Sequence, residues 1–348
     1  MRTVDEILRD ASGGEPVTDA ESKQQTQRYS RTRHIELVRS LSKVNGYRTT
    51  AYLVLQWTIM MATFVVAARV HHPIGYVVAA IVIASRMQAL GVLLHDATHF
   101  LLYKNRAIND IVSDLFVAFP LGLSTTLYRK THFRHHRYTN TEEDQDLAAM
   151  QEEEEWYTWP KTKWGLWKTI LRSTFGLNFL KGWVLYKHWA PWNNFTSPSF
   201  PRRCRILYIG SMVTVYSFFA FALKMNTVAT VCLMSVYTLA GITILNLANR
   251  LRATAEHLGT PGDHELNQTR TVVPNWIERF FIAPYGVSYH LEHHLFPSVP
   301  GCRLPKLHRT LMQDDEFRRK AHITKGYTGV VRELMAAGQE TKSEETTV

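Results

Sequence analysis

Histidines carry the clearest chemical pattern in this sequence of 348 residues. Sixteen are present, and nine of them fall into short clusters. On a helix, residues spaced i, i+3 and i+4 project from one face, so each cluster can direct two or three imidazoles at one point, as a metal ion requires. The nine are His95 and His99 in HDATH, His132, His135 and His136 in HFRHH, His290, His293 and His294 in HLEHH, and His257 in AEH.

Chance does not account for these strings. With sixteen histidines placed at random, HxxHH is expected about 0.03 times, whereas HxxxH alone is expected about 0.7 times and is weak evidence. Two copies of HxxHH therefore indicate a metal site. The other seven histidines are interpreted as helix caps or interfacial side chains, namely His34, His71, His72, His188, His264, His308 and His322.

Ligand number and type narrow the choice of metal. Nine imidazoles are too many for one ion and suit two ions with four or five ligands each. Imidazole binds iron, zinc, copper and nickel, so ligand type alone leaves the metal open. A closed structural zinc site would use thiolates, and Cys204, Cys232 and Cys302 are too scattered for that or for a disulfide framework. Iron is favoured because apolar segments beside the histidines suggest O2 chemistry on a lipid.

Those apolar segments are four in number and cover residues 51–68, 74–94, 204–223 and 227–247. Each has about 18–21 residues, enough to cross a hydrocarbon core of roughly 30 Å as a helix. A fifth stretch, 108–127, is interrupted by Asp110, Asp114 and Pro120. If it crossed, the histidines on its two sides would lie on opposite faces of the membrane, so we interpret it as interfacial or re-entrant. The tryptophans of residues 164–189 and 276–289 predict helices in the headgroup layer.

Basic residues give the orientation. The links near Arg69 and Lys224 carry one each, whereas residues 1–50 carry nine. The positive-inside rule therefore places the termini and all the histidine clusters in the cytoplasm. The net charge of +10 suits contact with anionic lipid, and no recognition element suggests a nucleic-acid partner. The nine are Arg2, Arg9, Lys23, Arg28, Arg31, Arg33, Arg39, Lys43 and Arg48.

The predicted architecture is an all-α integral membrane protein. Four transmembrane helices would carry a cytoplasmic, histidine-rich cap that holds a di-metal centre. We divide the chain into a cytoplasmic N-terminal region at 1–48, a membrane domain at 49–310 and a cytoplasmic tail at 311–348.

The strings HDATH, HFRHHRYTNTEEDQD and YHLEHHLFPSVP resemble the three histidine boxes of the membrane fatty acid desaturase and hydroxylase superfamily, over about residues 50–310. The resemblance implies two iron ions with O2 as co-substrate, and the eight box histidines as ligands. His257 matches an additional histidine that follows the fourth span in this family. Asp144–Gln145–Asp146 departs from the Asp-Pro-Asp of many relatives. Tyr289–His290 replaces the glutamine that begins the third box of front-end desaturases.

Desaturation of a fatty acyl or lipid-like chain is the function we expect, because HHLFPSVP resembles acyl desaturases more than alkane hydroxylases. The alternative within the enzyme class is a hydroxylase or ketolase of an alkane, carotenoid or small amphiphile. The alternative of another class is a divalent-metal transporter. Transporters place polar ligands near the bilayer midplane, whereas these histidines follow the span ends.

Supporting residues are less distinctive. Asp96, Asp146 and Glu256 are candidates to hydrogen-bond the outer ring nitrogens of the ligands, although helix capping explains them equally well. Arg86, inside the second span, and Arg250 and Arg252, at the end of the fourth, are candidates to bind a substrate headgroup. Snorkelling or interfacial anchoring accounts for these arginines as readily.

Electrons are expected from a separate protein. The sequence contains neither a cytochrome b5 signature nor a dinucleotide fingerprint. A ferredoxin, a rubredoxin, or cytochrome b5 with its reductase would then dock on the basic cytoplasmic surface. The substrate would be a lipid or an acyl chain on a carrier.

Overall fold

The structure is a computed structural model that describes residues 28–141, 143–144, 162–177, 179 and 186–345. Helices dominate these residues. Their α-helices are α1 Ile35–Leu41, α2 Gly46–Val70, α3 Pro73–Thr98, α4 Arg106–Ser113, α5 Thr125–Tyr138, α6 Lys163–Thr174, α7 Arg202–Met225, α8 Thr227–Ala240, α9 Asn246–His257, α10 Trp276–Phe281, α11 His290–Leu295, α12 Leu304–Leu311, α13 Asp315–Lys320 and α14 Gly326–Glu345.

Shorter elements join these helices. Two strands, β1 Thr271–Val273 and β2 Ile323–Lys325, pair in parallel, a small addition to the predicted all-α fold. Asp114–Ala118 and Gly241–Leu245 are π-helical. The 3-10 turns are Arg31–His34, Phe119–Leu121, Glu265–Asn267, Pro284–Gly286 and Gly301–Arg303.

Four helices are long and apolar enough to cross a membrane, as predicted. They are Gly46–Val70, Pro73–Thr98, Arg202–Ala222 and Thr227–His257. α3 is the central one, since 67% of its apolar window is buried, against 22% for α2 and 6% for α7. The outer helices expose valines, leucines and phenylalanines along much of their length, which suits contact with lipid chains.

The fourth span continues ten residues beyond its predicted end at position 247. Its backbone passes through the π-helical turn Gly241–Leu245 and remains helical to His257. The apolar run stops earlier than the helix because polar residues can continue a helix once it leaves the hydrocarbon. His257 consequently lies at the end of the span itself.

The interrupted stretch folds sharply. The helical segments Arg106–Leu121 and Thr125–Tyr138 meet at an angle of 88°, just after Gly122, which has a φ of 74°. Both ends of the stretch lead to histidines of one cluster, described below. The stretch therefore returns to the side on which it started, in agreement with a re-entrant segment.

Two other predictions fare differently. In the predicted interfacial stretch 164–189, Trp164 and Trp167 are exposed, but Trp189 is buried and donates to Thr131 Oγ1 at 2.7 Å. Trp189 is therefore part of the protein core, which corrects that prediction. The domain boundaries stay a prediction, although Leu307 and Phe317, on either side of the boundary at 311, pack in one apolar cluster.

Candidate metal centre

The nine clustered histidines come together in two groups. They lie at the end of α3, along α5, at the end of α9 and on α11. Within each group, one ligand nitrogen per residue lies within 4.8 Å of all the others. The first group has five members, His95, His99, His132, His136 and His293, and the second has four, His135, His257, His290 and His294.

Helix geometry explains the division. On α5, His132 and His136 are one turn apart and face the first group, while His135 faces the second. On α11, His293 faces the first group and His290 and His294 face the second. Each HxxHH string therefore serves both groups: its i and i+4 histidines share one group, and its i+3 histidine belongs to the other.

The contacts between nitrogens are close. In the first group, His132 Nε2 lies 2.9 Å from His99 Nε2 and 3.0 Å from His136 Nε2, and His136 Nε2 lies 3.0 Å from His293 Nε2. A neutral ring nitrogen carries either one hydrogen or one lone pair, so it cannot form two such bonds. The tautomers of neutral imidazoles cannot satisfy this chain, whereas a shared cation can.

The second group repeats the pattern. His290 Nε2 lies 2.9 Å from His257 Nε2 and 3.0 Å from His294 Nε2. Imidazole nitrogens bind zinc at about 2.0–2.1 Å, and two such bonds at right angles place the nitrogens about 3 Å apart. His95 Nε2 is buried without a hydrogen-bond partner among the described residues. These observations fit two divalent first-row ions held by imidazole.

Burial favours the neutral form of four of these imidazoles, the form in which histidine binds a metal. It lowers the pKa of His99 to about 3, and the charge of Arg129 acts in the same direction. Burial also holds the pKa values of His290, His293 and His294 well below their ordinary range, with a further contribution from neighbouring histidines.

Arg129 joins the first two boxes. It lies on α5, and its guanidinium donates to the carbonyls of Ala97 and Thr98 at the end of α3, at 3.0 and 2.8 Å. It also forms an ion pair with Asp110 at 2.6 Å. The unpaired carbonyls of a helix end are thus satisfied by a residue on the helix that carries the next box, which fixes the two helices in register.

One carboxylate directly orients a candidate ligand. Asp144 is buried and accepts from His135 Nδ1 at 2.9–3.1 Å, an arrangement typical of metal-bound histidine. The sequence analysis missed Asp144 and named Asp146, which lies outside the described residues. Both belong to the string TEEDQD, so the signal was present, but spacing alone does not indicate which carboxylate turns inward.

The other two predicted carboxylates are close to ligands without short hydrogen bonds to them. Asp96 Oδ1 lies 3.9 Å from His95 Nδ1, and the carboxylate accepts from the backbone N–H of Gly301 at 3.2 Å. Glu256 Oε2 lies 3.7 Å from His290 Nδ1. These distances leave their predicted hydrogen-bonding role open, while Asp96 clearly ties α3 to the loop after the third box.

The three arginines proposed for a headgroup have other partners. Arg86 is buried and donates to Gln56 Oε1 and the Phe280 carbonyl, each at 3.0 Å, so its charge is used inside the protein. Arg252 forms an ion pair with Glu256 at 3.0 Å. Arg250 is half-buried and also interacts with neighbouring groups. These contacts disfavour the headgroup role, which stays a prediction.

Glu292 is a second carboxylate that the sequence analysis did not single out. It lies inside HLEHH, is fully buried, and faces away from the ligands. It accepts from Thr271 Oγ1 of β1 and from His308 Nδ1 of α12, both at 2.5 Å. His308, interpreted above as structural, therefore pairs with a carboxylate. The sequence feature that could have indicated this role is the position of the glutamate between His290 and His293 on a short helix.

Known proteins resemble this chain. A family model described as fatty acid desaturase matches residues 71–326. Dihydrorhizobitoxine desaturase of Bradyrhizobium elkanii is 28% identical over 260 residues, 71% of this chain and 70% of that protein. The chloroplastic omega-6 fatty acid desaturase of Brassica napus is 24% identical over 241 residues, which are 64% and 51% of the two chains.

The sphingolipid delta(4)-desaturase/C4-monooxygenase DES2 of Rattus norvegicus is 25% identical over 223 residues, 62% of this chain and 59% of that protein. The chain thus spans between about half and 70% of the length of these three relatives. The segment matched by the family model contains all nine clustered histidines. The chain therefore belongs to the fatty acid desaturase family and is an oxidoreductase of that type.

Proposed function

We propose that this protein is a membrane di-iron enzyme that uses O2 to introduce a double bond into a fatty acyl or lipid-like chain. One observation carries the proposal: nine imidazoles form a group of five and a group of four, each compact enough to hold one ion. Carboxylate-free imidazole sets of this size suit first-row metals such as iron.

The chemistry requires a cofactor. No side-chain acid or base can remove hydrogen from an unactivated methylene, so two bound iron ions with O2 would supply the oxidant. The protein's own residues hold and orient that centre. His95, His132 and His293 would bind one ion while buried from water, and Asp144 would fix the ring of His135 for the other.

Orientation and electron supply belong to the same proposal. The basic N-terminal region places the histidine groups in the cytoplasm by the positive-inside rule. Electrons would arrive from a separate ferredoxin, rubredoxin, or cytochrome b5 with its reductase. The ligands cluster at the ends of α3 and α9, away from the middle of the spans, which argues against a metal transporter.

Hydroxylation is the second candidate. The name of the rat relative includes both a desaturase and a C4-monooxygenase. Hydroxylation is therefore the natural alternative for a chain of similar sequence. The name of the first relative does not specify a fatty acid, which keeps a smaller amphiphile open as substrate. Placement of the substrate by a fraction of an ångström would decide between the two outcomes.

Product analysis under 18O2 tests the proposal. Lipids of cells that express the protein should gain an unsaturated species that is absent from cells with the His132→Ala variant. We predict that the main product is an alkene without 18O, because desaturation releases the oxygen of O2 as water. A main product that carries 18O would instead show hydroxylation and overturn the desaturase assignment.

A further inference from the structure

A cavity of about 260 Å³ opens beside the third histidine box. Its wall includes Tyr52 of α2, Arg279 of α10, and Tyr285, Tyr289 and Cys302. It is large enough to take a polar head with a few carbons.

The residues that line the cavity are adjacent in sequence to the histidine groups. Tyr289 directly precedes His290 of the third box. A smaller crevice of about 20 Å³ includes Asp96, the neighbour of His95, and shares Tyr52, Tyr285 and Cys302 with the cavity. An occupant of the cavity would thus contact residues that directly adjoin candidate ligands of both groups.

That wall is held in place by packing and backbone geometry. The rings of Tyr52 and Tyr285 stack with centroids 4.4 Å apart, and Gln56 Nε2 donates to the Tyr285 hydroxyl at 2.5 Å. Tyr285 has a φ of 54°, in the left-handed region. A Cβ at Gly286 would lie 2.5 Å from the Gly301 carbonyl oxygen. The cavity is therefore preformed, which lowers the cost of binding.

Positive charge at the cavity is not neutralised. The Arg279 side chain is exposed and has no hydrogen-bond or ion-pair partner among the described residues. The nearby carboxylates are occupied: Glu278 accepts from two backbone N–H groups, at 2.8 and 2.9 Å, and Glu292 accepts from Thr271 and His308. A free guanidinium beside satisfied carboxylates favours an anionic ligand.

The surroundings of Arg279 suit the head of an amphiphile. The helix that carries Arg279 exposes Trp276 and Phe280, as helices at a membrane interface do. The mouth of the cavity thus combines a cation with a surface suited to lipid.

We infer that this cavity binds the anionic oxygen group, a carboxylate or phosphate, at the head of an amphiphilic substrate, with Arg279 as its principal partner. The inference rests on the proposed function, since it names the part of the substrate that the catalytic region must anchor. Arg279 differs from the earlier candidates Arg86 and Arg252, which have partners within the protein, because it lines an open space.

Binding of short amphiphiles to the purified full chain tests the inference without turnover. Octyl phosphate, octanoate and octylammonium share one chain and differ in head charge. In a neutral maltoside detergent, calorimetric titration should show tighter binding of the two anions than of octylammonium. Arg279→Gln should weaken octyl phosphate binding about tenfold, the usual effect of one lost charge-assisted hydrogen bond, and Arg279→Lys should weaken it less.

The matched control is Arg319→Gln, because Arg319 is exposed and lies outside the cavity wall; it should bind as wild type. Unchanged octyl phosphate affinity in Arg279→Gln would overturn the inference, as would equal affinity for octylammonium. Competition by inorganic phosphate as strong as by octyl phosphate would also overturn it, in favour of a free-anion site. Because no product is measured, a failure of desaturation and a failure of head binding remain distinguishable.

Discussion

His257 completes the second group of imidazoles. It reaches the group from the end of the fourth span, while the other three members come from the second and third boxes. Its Nε2 lies 2.9 Å from His290 Nε2, the same separation as among the box histidines. Without His257, three imidazoles would remain in the group, so we expect this residue to decide how firmly the group could hold an ion.

Replacement of His257 gives a prediction at this scale. Loss of a residue that only hydrogen-bonds to a metal ligand costs about 10–100-fold in metal affinity or activity. Loss of a ligand should cost more, so His257→Ala should reduce product formation by more than about 100-fold. Iron bound per chain should fall with it, while the amount of protein in the membrane stays unchanged. The control is His188→Ala, since His188 is exposed and belongs to neither group.

Turnover of His257→Ala at the wild-type rate would remove this residue from the ligand set. His132→Ala and His294→Ala should lose product and iron as His257→Ala does, because each removes one imidazole from one of the two groups.

Residues close in sequence were predictable, and residues brought together by folding were not. The boxes could be recognised because i, i+3 and i+4 positions share a helix face. The sequence did not indicate that Arg86 donates hydrogen bonds to Gln56 and Phe280, which are 30 and 194 positions away. Likewise, Glu292 could not be paired with His308 and Thr271 from spacing alone.

At the scale of elements, α11 is a short helix of six residues, three of which belong to the two histidine groups. Glu292 attaches its opposite face to β1 and α12 through two hydrogen bonds of 2.5 Å. Since a helix of this length has little stability of its own, these bonds determine where His290, His293 and His294 lie.

Glu292→Gln therefore tests the anchoring of α11. Glutamine has one acceptor oxygen for two donors, so one bond is lost, at a cost of about 1.5–3 kcal/mol for a bond to a charged group. We expect a lower thermal unfolding temperature and fewer iron ions per chain than in wild type. Glu36→Gln is the control, because Glu36 is exposed and pairs only with Arg39 on the surface, where ion pairs contribute little.

A Glu292→Gln protein with wild-type stability and iron content would show that α11 is held by apolar packing alone. Leu291 and Leu295 on this helix are buried and would then be sufficient.

The apolar runs predicted the four spans, but they did not predict where the fourth helix ends. All four apolar segments became long helices, because an apolar run of this length must satisfy its backbone internally in lipid. The fourth helix extends ten residues beyond its apolar run, which ends at position 247. Hydropathy indicates where the chain leaves the hydrocarbon, whereas the helix can continue further. The 88° bend between Arg106–Leu121 and Thr125–Tyr138 agrees with the prediction of a re-entrant segment. That prediction came only from the requirement that the histidines on both sides of the segment lie on one face of the membrane.

For the whole molecule, the positive-inside argument gives a definite sidedness. The turns at His71–His72 and near Asn226 connect paired spans and should lie outside, and the two histidine groups should lie inside. In a background without native cysteines, His72→Cys should react with a membrane-impermeant maleimide on intact cells. Lys306→Cys, on the exposed side of α12, should react only after permeabilisation. The reverse pattern would invert the topology.

Metal analysis of the purified protein tests the central claim most directly. The two imidazole groups predict near two equivalents of iron per chain when the protein is prepared without chelators. His132→Ala and His257→Ala, one from each group, should each lose iron, whereas His188→Ala should not. A single zinc per chain, with no iron under any preparation, would contradict the account.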